Sequence, residues 1–322
     1  MFATYNKILL FSLSIVIVSV VVLVVNGFHS IIQHYPNVTL ETCGIGRQSL
    51  LTTGQCLRWG FNSNASSIQY GRLADPGEWP WVVYITGIRY FTNPFYISKQ
   101  ICGGVILNQL WIITAAHCML ENYNYTVKTV QNWRHPGHSY QISNFYLYPD
   151  YEVGYESVRI FQHDIALVKL KPPGIQMTLN SDGYYTVNSI CLTYANMANK
   201  VEELALFAGF GDTDNFVEND GPLRMGWVKI YRHILHNPYG SVIRAMRYPV
   251  QTGAGLCNGD SGGPLIQYAG GRRLGYEEKA VLIGINAGAQ TNTCLVEDWS
   301  GQMFFARVAT KVKWIVNTVE NN

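Results

Sequence analysis

Short runs of β-branched and aromatic residues, set apart by turn-prone Gly, Pro, Asn and Asp, restrict the fold of this chain more than any other feature. They recur at Trp81–Ile88, Gly104–Leu107, Trp111–Thr114, Ile165–Leu170, Leu204–Gly209, Arg224–Ile230, Ala280–Ile285 and Gln302–Val308. Such side chains pack well on a pleated surface, and the residues between them supply turns. The succession predicts an all-β protein, a barrel or a sandwich. One segment departs from it. Val312, Ile315, Val316 and Val319 recur at the spacing of a single helical stripe, so a C-terminal α-helix is expected over about 309–320.

At 322 residues the chain can bury a large core, and its 48% hydrophobic content agrees. A net charge of +2, with no basic run interleaved with aromatics, argues against a nucleic-acid partner. The seven cysteines show no CxxC or Cys/His spacing of a zinc site, so disulfides are expected and a metal is not. Disulfides suit an oxidising, secretory route, as do three glycosylation sequons on Asn37, Asn64 and Asn124. Lys7 precedes an apolar run from Ile8 to Val25, followed by Asn26 and Gly27. This reads as a signal peptide over 1–27, giving a secreted, extracellular product. If retained, the same run is long enough to act as a membrane anchor. Residues 28–67, without periodicity and rich in Asn, Ser, Thr and Gly, read as a propeptide.

Three stretches carry the chemistry. Thr114-Ala115-Ala116-His117-Cys118 closes one apolar run, and Asp164 stands directly ahead of Ile165-Ala166-Leu167-Val168-Lys169-Leu170. The third is Cys257-Asn258-Gly259-Asp260-Ser261-Gly262-Gly263-Pro264-Leu265. A lone His, an Asp before a strand, or a Gly-rich turn is an ordinary structural feature. In the order His, Asp, Ser, the three together resemble the chymotrypsin–trypsin family of serine proteases. The resemblance runs from Ile68 to the C-terminus and takes in Gly77-Glu78-Trp79-Pro80-Trp81, Cys102-Gly103-Gly104 and Gly209-Phe210-Gly211. It implies two antiparallel six-stranded Greek-key β-barrels, the first over about 68–187 and the second over about 188–308, with a cleft between them. It also implies a secreted endopeptidase made as a zymogen. Such an enzyme has protein or peptide substrates, an activating protease and protein inhibitors as partners, and no cofactor. Membrane contact follows only if the N-terminal run is kept.

Serine is a weak nucleophile until a base takes its proton, and imidazole can take and return that proton near neutrality. The resemblance therefore assigns Ser261 as nucleophile, His117 as base and Asp164 as the carboxylate that orients it, with the N–H groups of Gly259 and Ser261 facing the oxyanion. Activation would free the amine of Ile68 to pair with Asp260. Ser67, not Arg or Lys, precedes Ile68, so the activator must accept small residues; a cut at Arg72-Leu73 would leave too short a tail. Gly255, Asn258, Ala287, Gly288, Ala289 and Met303 map to the substrate pocket, whose neutral lining predicts an uncharged apolar residue before the scissile bond. Ala287 stands where the family usually has a Ser that supports the carboxylate. The family's bridges imply Cys102–Cys118, Cys257–Cys294 and Cys43–Cys191. A Cys56–Cys191 or a Cys43–Cys56 bridge stays open. Two other readings remain: a catalytically weak or inactive protease-fold binding protein, and an α/β-hydrolase, disfavoured because His117 precedes Ser261.

Overall fold

The computed structural model describes residues 35, 37–47, 71–92, 94–132, 135–152, 161–195, 203–211, 222–231, 240–250, 253–269, 279–289 and 301–322. A short strand β1 spans Arg72–Leu73. Six strands follow: β2 (Val82–Thr92), β3 (Phe95–Ile106), β4 (Trp111–Thr114), β5 (Asn124–Asn132), β6 (His135–Leu147) and β7 (Ala166–Leu170). They close into an antiparallel barrel in the order β2-β3-β4-β7-β6-β5, a Greek-key return. The barrel closes on apolar side chains: Val83, Ile85, Val105, Ile112, Ile113 and Leu167 are almost wholly buried. Each contributes roughly 1.5–3 kcal/mol by leaving water.

A ribbon of β8 (Thr178–Leu179) and β9 (Tyr185–Val187) leads to the second half. That half holds β10 (Cys191–Leu192), β11 (Leu204–Gly209), β12 (Arg224–Ile230), β13 (Val242–Tyr248), β14 (Pro264–Ala269), β15 (Lys279–Ala289) and β16 (Met303–Arg307). The last six close a second barrel in the order β12-β11-β14-β15-β16-β13, with β13 returning to β12. Phe207, Val228, Ile243, Leu265 and Phe305 fill it. β10 adds to β15 in parallel. The all-β fold of two six-stranded barrels expected from sequence is the fold observed.

Two segments cross between the barrels. β1 precedes the first barrel in sequence yet pairs with β12, Arg72 opposite Met225 and Leu73 opposite Arg224. It lies within the span of about 68–187 expected for the first barrel, yet its ladder is with the second. β13 covers the same edge of β12 only over Trp227–Ile230, and β1 pairs with the Arg224 and Met225 backbone left beyond it. At the other end helix α1 (Val312–Asn321) returns to the first barrel. Val312, Ile315 and Val319 join its apolar cluster, and Trp314 meets Tyr148 edge-on at 5.2 Å. The helix begins at Val312 rather than near 309, because Val308–Thr310 forms a 3₁₀ turn first.

The 37–47 segment is docked as firmly as a strand. Gly44 donates to the Ser189 carbonyl at 2.8 Å and accepts from the Ala280 N–H at 2.9 Å. The Asn188 amide donates to the carbonyls of Thr42 and Ile45 at 2.7 and 2.9 Å. The Cys43–Cys191 disulfide locks the contact, and Cys102–Cys118 closes the loop ahead of His117's neighbour. Both bridges are those the resemblance implied. Cys257 is disulfide-bonded as well. Cys56 and Cys294 lie outside the described residues, as do the apolar run at 8–25, Asn64, Ser67 and Ile68. No described helix is long and apolar enough to cross a membrane.

Candidate active site

The register of two strands brings the first pair together. β4 and β7 run antiparallel with Thr114 opposite Ala166. Carried past the end of β4, that register sets the Ala116–Cys118 turn against the residues just ahead of β7, and so His117 against Asp164. Asp164 is 3% exposed and holds His117 twice. Its Oδ1 accepts the His117 backbone N–H at 2.9 Å and its Oδ2 accepts from Nδ1 at 2.6 Å. A carboxylate can only accept, so Nδ1 carries the proton and Nε2 is left as the base. Gln100 donates to the His117 carbonyl at 2.9 Å. The imidazole side chain keeps 35% of its surface exposed, enough to meet a substrate. Burial pulls its pKa down, but the hydrogen bond to Asp164 and the charge of that carboxylate outweigh it, so the pKa lies above its ordinary value.

The Ser261 loop comes from the second barrel. The Asp260 N–H donates to the Cys257 carbonyl at 3.1 Å and the Gly263 N–H to the Asp260 carbonyl at 3.0 Å, which folds the loop back on itself. Gly262 and Asn286 bind it to β15, at 2.9 Å through Gly262 N–H to Asn286 C=O and at 2.8 Å through Asn286 N–H to Gly263 C=O. Gly103 of β3 donates to the Ser261 carbonyl at 2.7 Å, so the loop touches the first barrel beside the histidine turn. Gly262 has φ +79°, and a Cβ there would lie 2.2 Å from Thr114 Oγ1. Only glycine fits. Gly259 has φ +94°, a conformation that disfavours any side chain. Among the described residues neither the Gly259 nor the Ser261 N–H donates a hydrogen bond.

Among the described residues, Ser261 Oγ and His117 Nε2 are not hydrogen-bonded to each other; Nε2 lies 3.8 Å from Cys118 Sγ. Such contacts are often loose before substrate binds. Asp260 is wholly buried. Its Oδ1 accepts from Gly211 at 2.7 Å and its Oδ2 from Cys257 at 2.8 Å. Side chains at Gly209 or Gly211 would strike this carboxylate, which explains the two glycines around Phe210.

Of the residues expected to line the substrate pocket, Gly255 and Ala287 are buried, Gly288 and Ala289 half-buried, and Asn258 exposed. Met303 is 2% exposed and pairs with Ala289 on one side and Ala245 on the other. Two neighbours escaped the sequence reading. Phe161 stacks on Phe304 at 4.7 Å and covers Gly288, 3.0 Å from where a Cβ would sit. The Arg247 guanidinium lies against Gly255, within 2.6–2.8 Å of the same point there. Period-two reading of β13 would have found Arg247, since it falls on the buried face with Ile243 and Ala245.

Residues 68–315 match the Trypsin family. The chain belongs to that family. Among its relatives is U21-ctenitoxin-Pn1a of Phoneutria nigriventer, 28% identical over 77% of this chain and 98% of that protein. Coagulation factor IX of Oryctolagus cuniculus is 26% identical over 77% of this trypsin-family chain and 81% of its own length. Kallikrein-8 of Mus musculus is 29% identical over 63% and 73%. The crystal structure of the scabies mite inactivated protease paralogue S-I1 shares the fold, with a TM-score of 0.57 at 23% identity, covering 78% of this chain and 99% of that one.

Proposed function

We propose that the chain is a secreted serine endopeptidase, made as a zymogen, that hydrolyses peptide bonds through an acyl-enzyme. One observation carries this reading. The buried Asp164 fixes a Nδ1-protonated His117, while the Ser261 loop, with two N–H groups that donate to no described residue, is hydrogen-bonded to the same wall of the first barrel. Ser261 Oγ attacks the scissile carbonyl as its proton passes to His117 Nε2. The N–H groups of Gly259 and Ser261 receive the oxyanion, a contribution on the order of 3 kcal/mol per donor. His117 then protonates the leaving amine, and water, deprotonated in turn by His117, frees the acid and restores the hydroxyl.

Activation follows a cut between Ser67 and Ile68, whose new ammonium pairs with Asp260. Arg72-Leu73 is a poor alternative, because Arg72 is held by Glu78 in a bidentate pair and lies within β1. Asn37 and Asn124 are exposed, as glycan acceptors must be, and Asn64 completes the set. A fluorophosphonate reagent tests the enzyme: the activated protein should be labelled at Ser261, and a protein that turns over no peptide and takes no label is not a protease. N-terminal sequencing of the mature form should begin at Ile68. Activity should fall at high pH with a midpoint above the ordinary ~8 of a terminal amine, since Asp260 favours the charged form.

The second reading, a protease-fold binding protein without catalysis, draws on the unmade Ser261–His117 hydrogen bond. The labelling experiment separates the two.

A further inference from the structure

β13 alternates strictly. Val242, Arg244, Met246 and Tyr248 are half-buried, while Ile243, Ala245 and Arg247 point to the buried face. Arg247 is 7% exposed, a cation where the alternation calls for an aliphatic residue. Burying a guanidinium is costly without a specific partner, so such a residue calls for a reason.

Its position supplies one. A Cβ on Gly255 would lie 2.6 Å from Nη2, 2.7 Å from Cζ and 2.8 Å from Nε. Three nearly equal distances describe a planar head laid face-on over the glycine, in the space a side chain at 255 would fill. Gly255 is six residues before Ser261, and the Cys257–Asp260 turn folds the chain between them back on itself. On β13, Ala245 pairs with Met303, which pairs in turn with Ala289. Arg247 is the next residue on the same face. The guanidinium thus lies against Gly255, one of the residues the resemblance sets around the substrate, and the other described ones, Ala287, Gly288, Ala289 and Met303, carry no charge.

We propose that Arg247 determines specificity and that the residue bound before the scissile bond is Asp or Glu. The inference rests on the protease reading above and replaces the uncharged apolar preference that the neutral lining suggests. A carboxylate meets a guanidinium through paired, charge-assisted hydrogen bonds that Lys cannot reproduce. Arg247 also makes an interaction of its own within the chain, and a head with five N–H donors can serve both.

The test is a peptide series varied at that one residue, cut by the activated enzyme. Asp or Glu should exceed Leu, Val and Lys in kcat/KM by about tenfold or more, the scale of a hydrogen bond to a charged group. Arg247→Leu should remove that preference, bringing kcat/KM for the Asp and Glu peptides to or below that for Leu. A wild-type preference for Leu or Val, or an acidic preference that survives Arg247→Leu, overturns the proposal and leaves the protease reading intact. Should Arg247→Leu fail to fold, calorimetry on Ser261→Ala decides. Product peptides ending in Asp should bind about tenfold tighter than those ending in Leu, and equal or reversed affinities overturn the assignment. That binding arm still judges Arg247 if Ser261 takes no label, an outcome that sinks the protease reading alone.

Discussion

His117 sits between two opposing forces. Its burial favours the neutral ring, and the Asp164 carboxylate favours the imidazolium; the carboxylate wins. A raised folded-state pKa means that the pair stabilises the fold fully below the unfolded value of about 6.5 and loses that contribution as pH rises through the folded one. The same shift predicts that kcat/KM climbs with an acid limb centred above about 6.5. In Asp164→Asn the limb should move down, and kcat should fall by about 10⁴, because an amide permits the wrong tautomer. A pH–rate profile of both proteins checks this. His117, Asp164 and Ser261, the residues proposed to react, each lie inside a short local motif, which is why the sequence singles them out. Alternation along β13 marks the Arg247 position as buried, but its contact with Gly255 joins separate elements and no local pattern records it.

Among the elements, the β4–β7 ladder and the Ser261 loop do most to assemble the site. A Cβ at Gly262 would press into Thr114 Oγ1 and the Gly103 carbonyl, at a φ that disfavours side chains. Gly262→Ala should therefore cost about 2–4 kcal/mol, seen as a lower denaturant midpoint, and activity should fall with it. The docked 37–47 segment makes a different prediction. Cutting the chain before Ile68 should leave the N-terminal piece attached through Cys43–Cys191. The activated protein should run as one band without reductant and as two with it. A piece lost without reductant would contradict the bridge.

At the scale of the whole molecule, β1 and α1 join the two barrels by crossing to the far one in each case. Lys311, at the start of α1, is buried at this junction. Its Nζ lies 2.9 Å from His163 Nδ1 and 4.0 Å from the centre of the Tyr148 ring. Burial lowers its pKa from 10.5 to about 8, against an opposing pull from Asp150. Between those two values the unfolded chain holds a proton that the folded one does not, so stability rises with pH across that window. Chemical denaturation at pH 8 and pH 10 should show a steeper rise for the wild type than for Lys311→Met. Equal slopes would place the charge elsewhere. The sequence alone determined the β class and the C-terminal helix, and it singled out His117, Asp164 and Ser261 as the residues to propose for the chemistry. Periodicity and short motifs are written in neighbouring residues, and these features need nothing more. The tertiary structure decided that β1 pairs with β12 of the second barrel and that 37–47 is clasped to residues 188–191 and to Ala280. Those facts depend on contacts between residues far apart in the chain, which closure of the barrels brings together and local pattern does not encode.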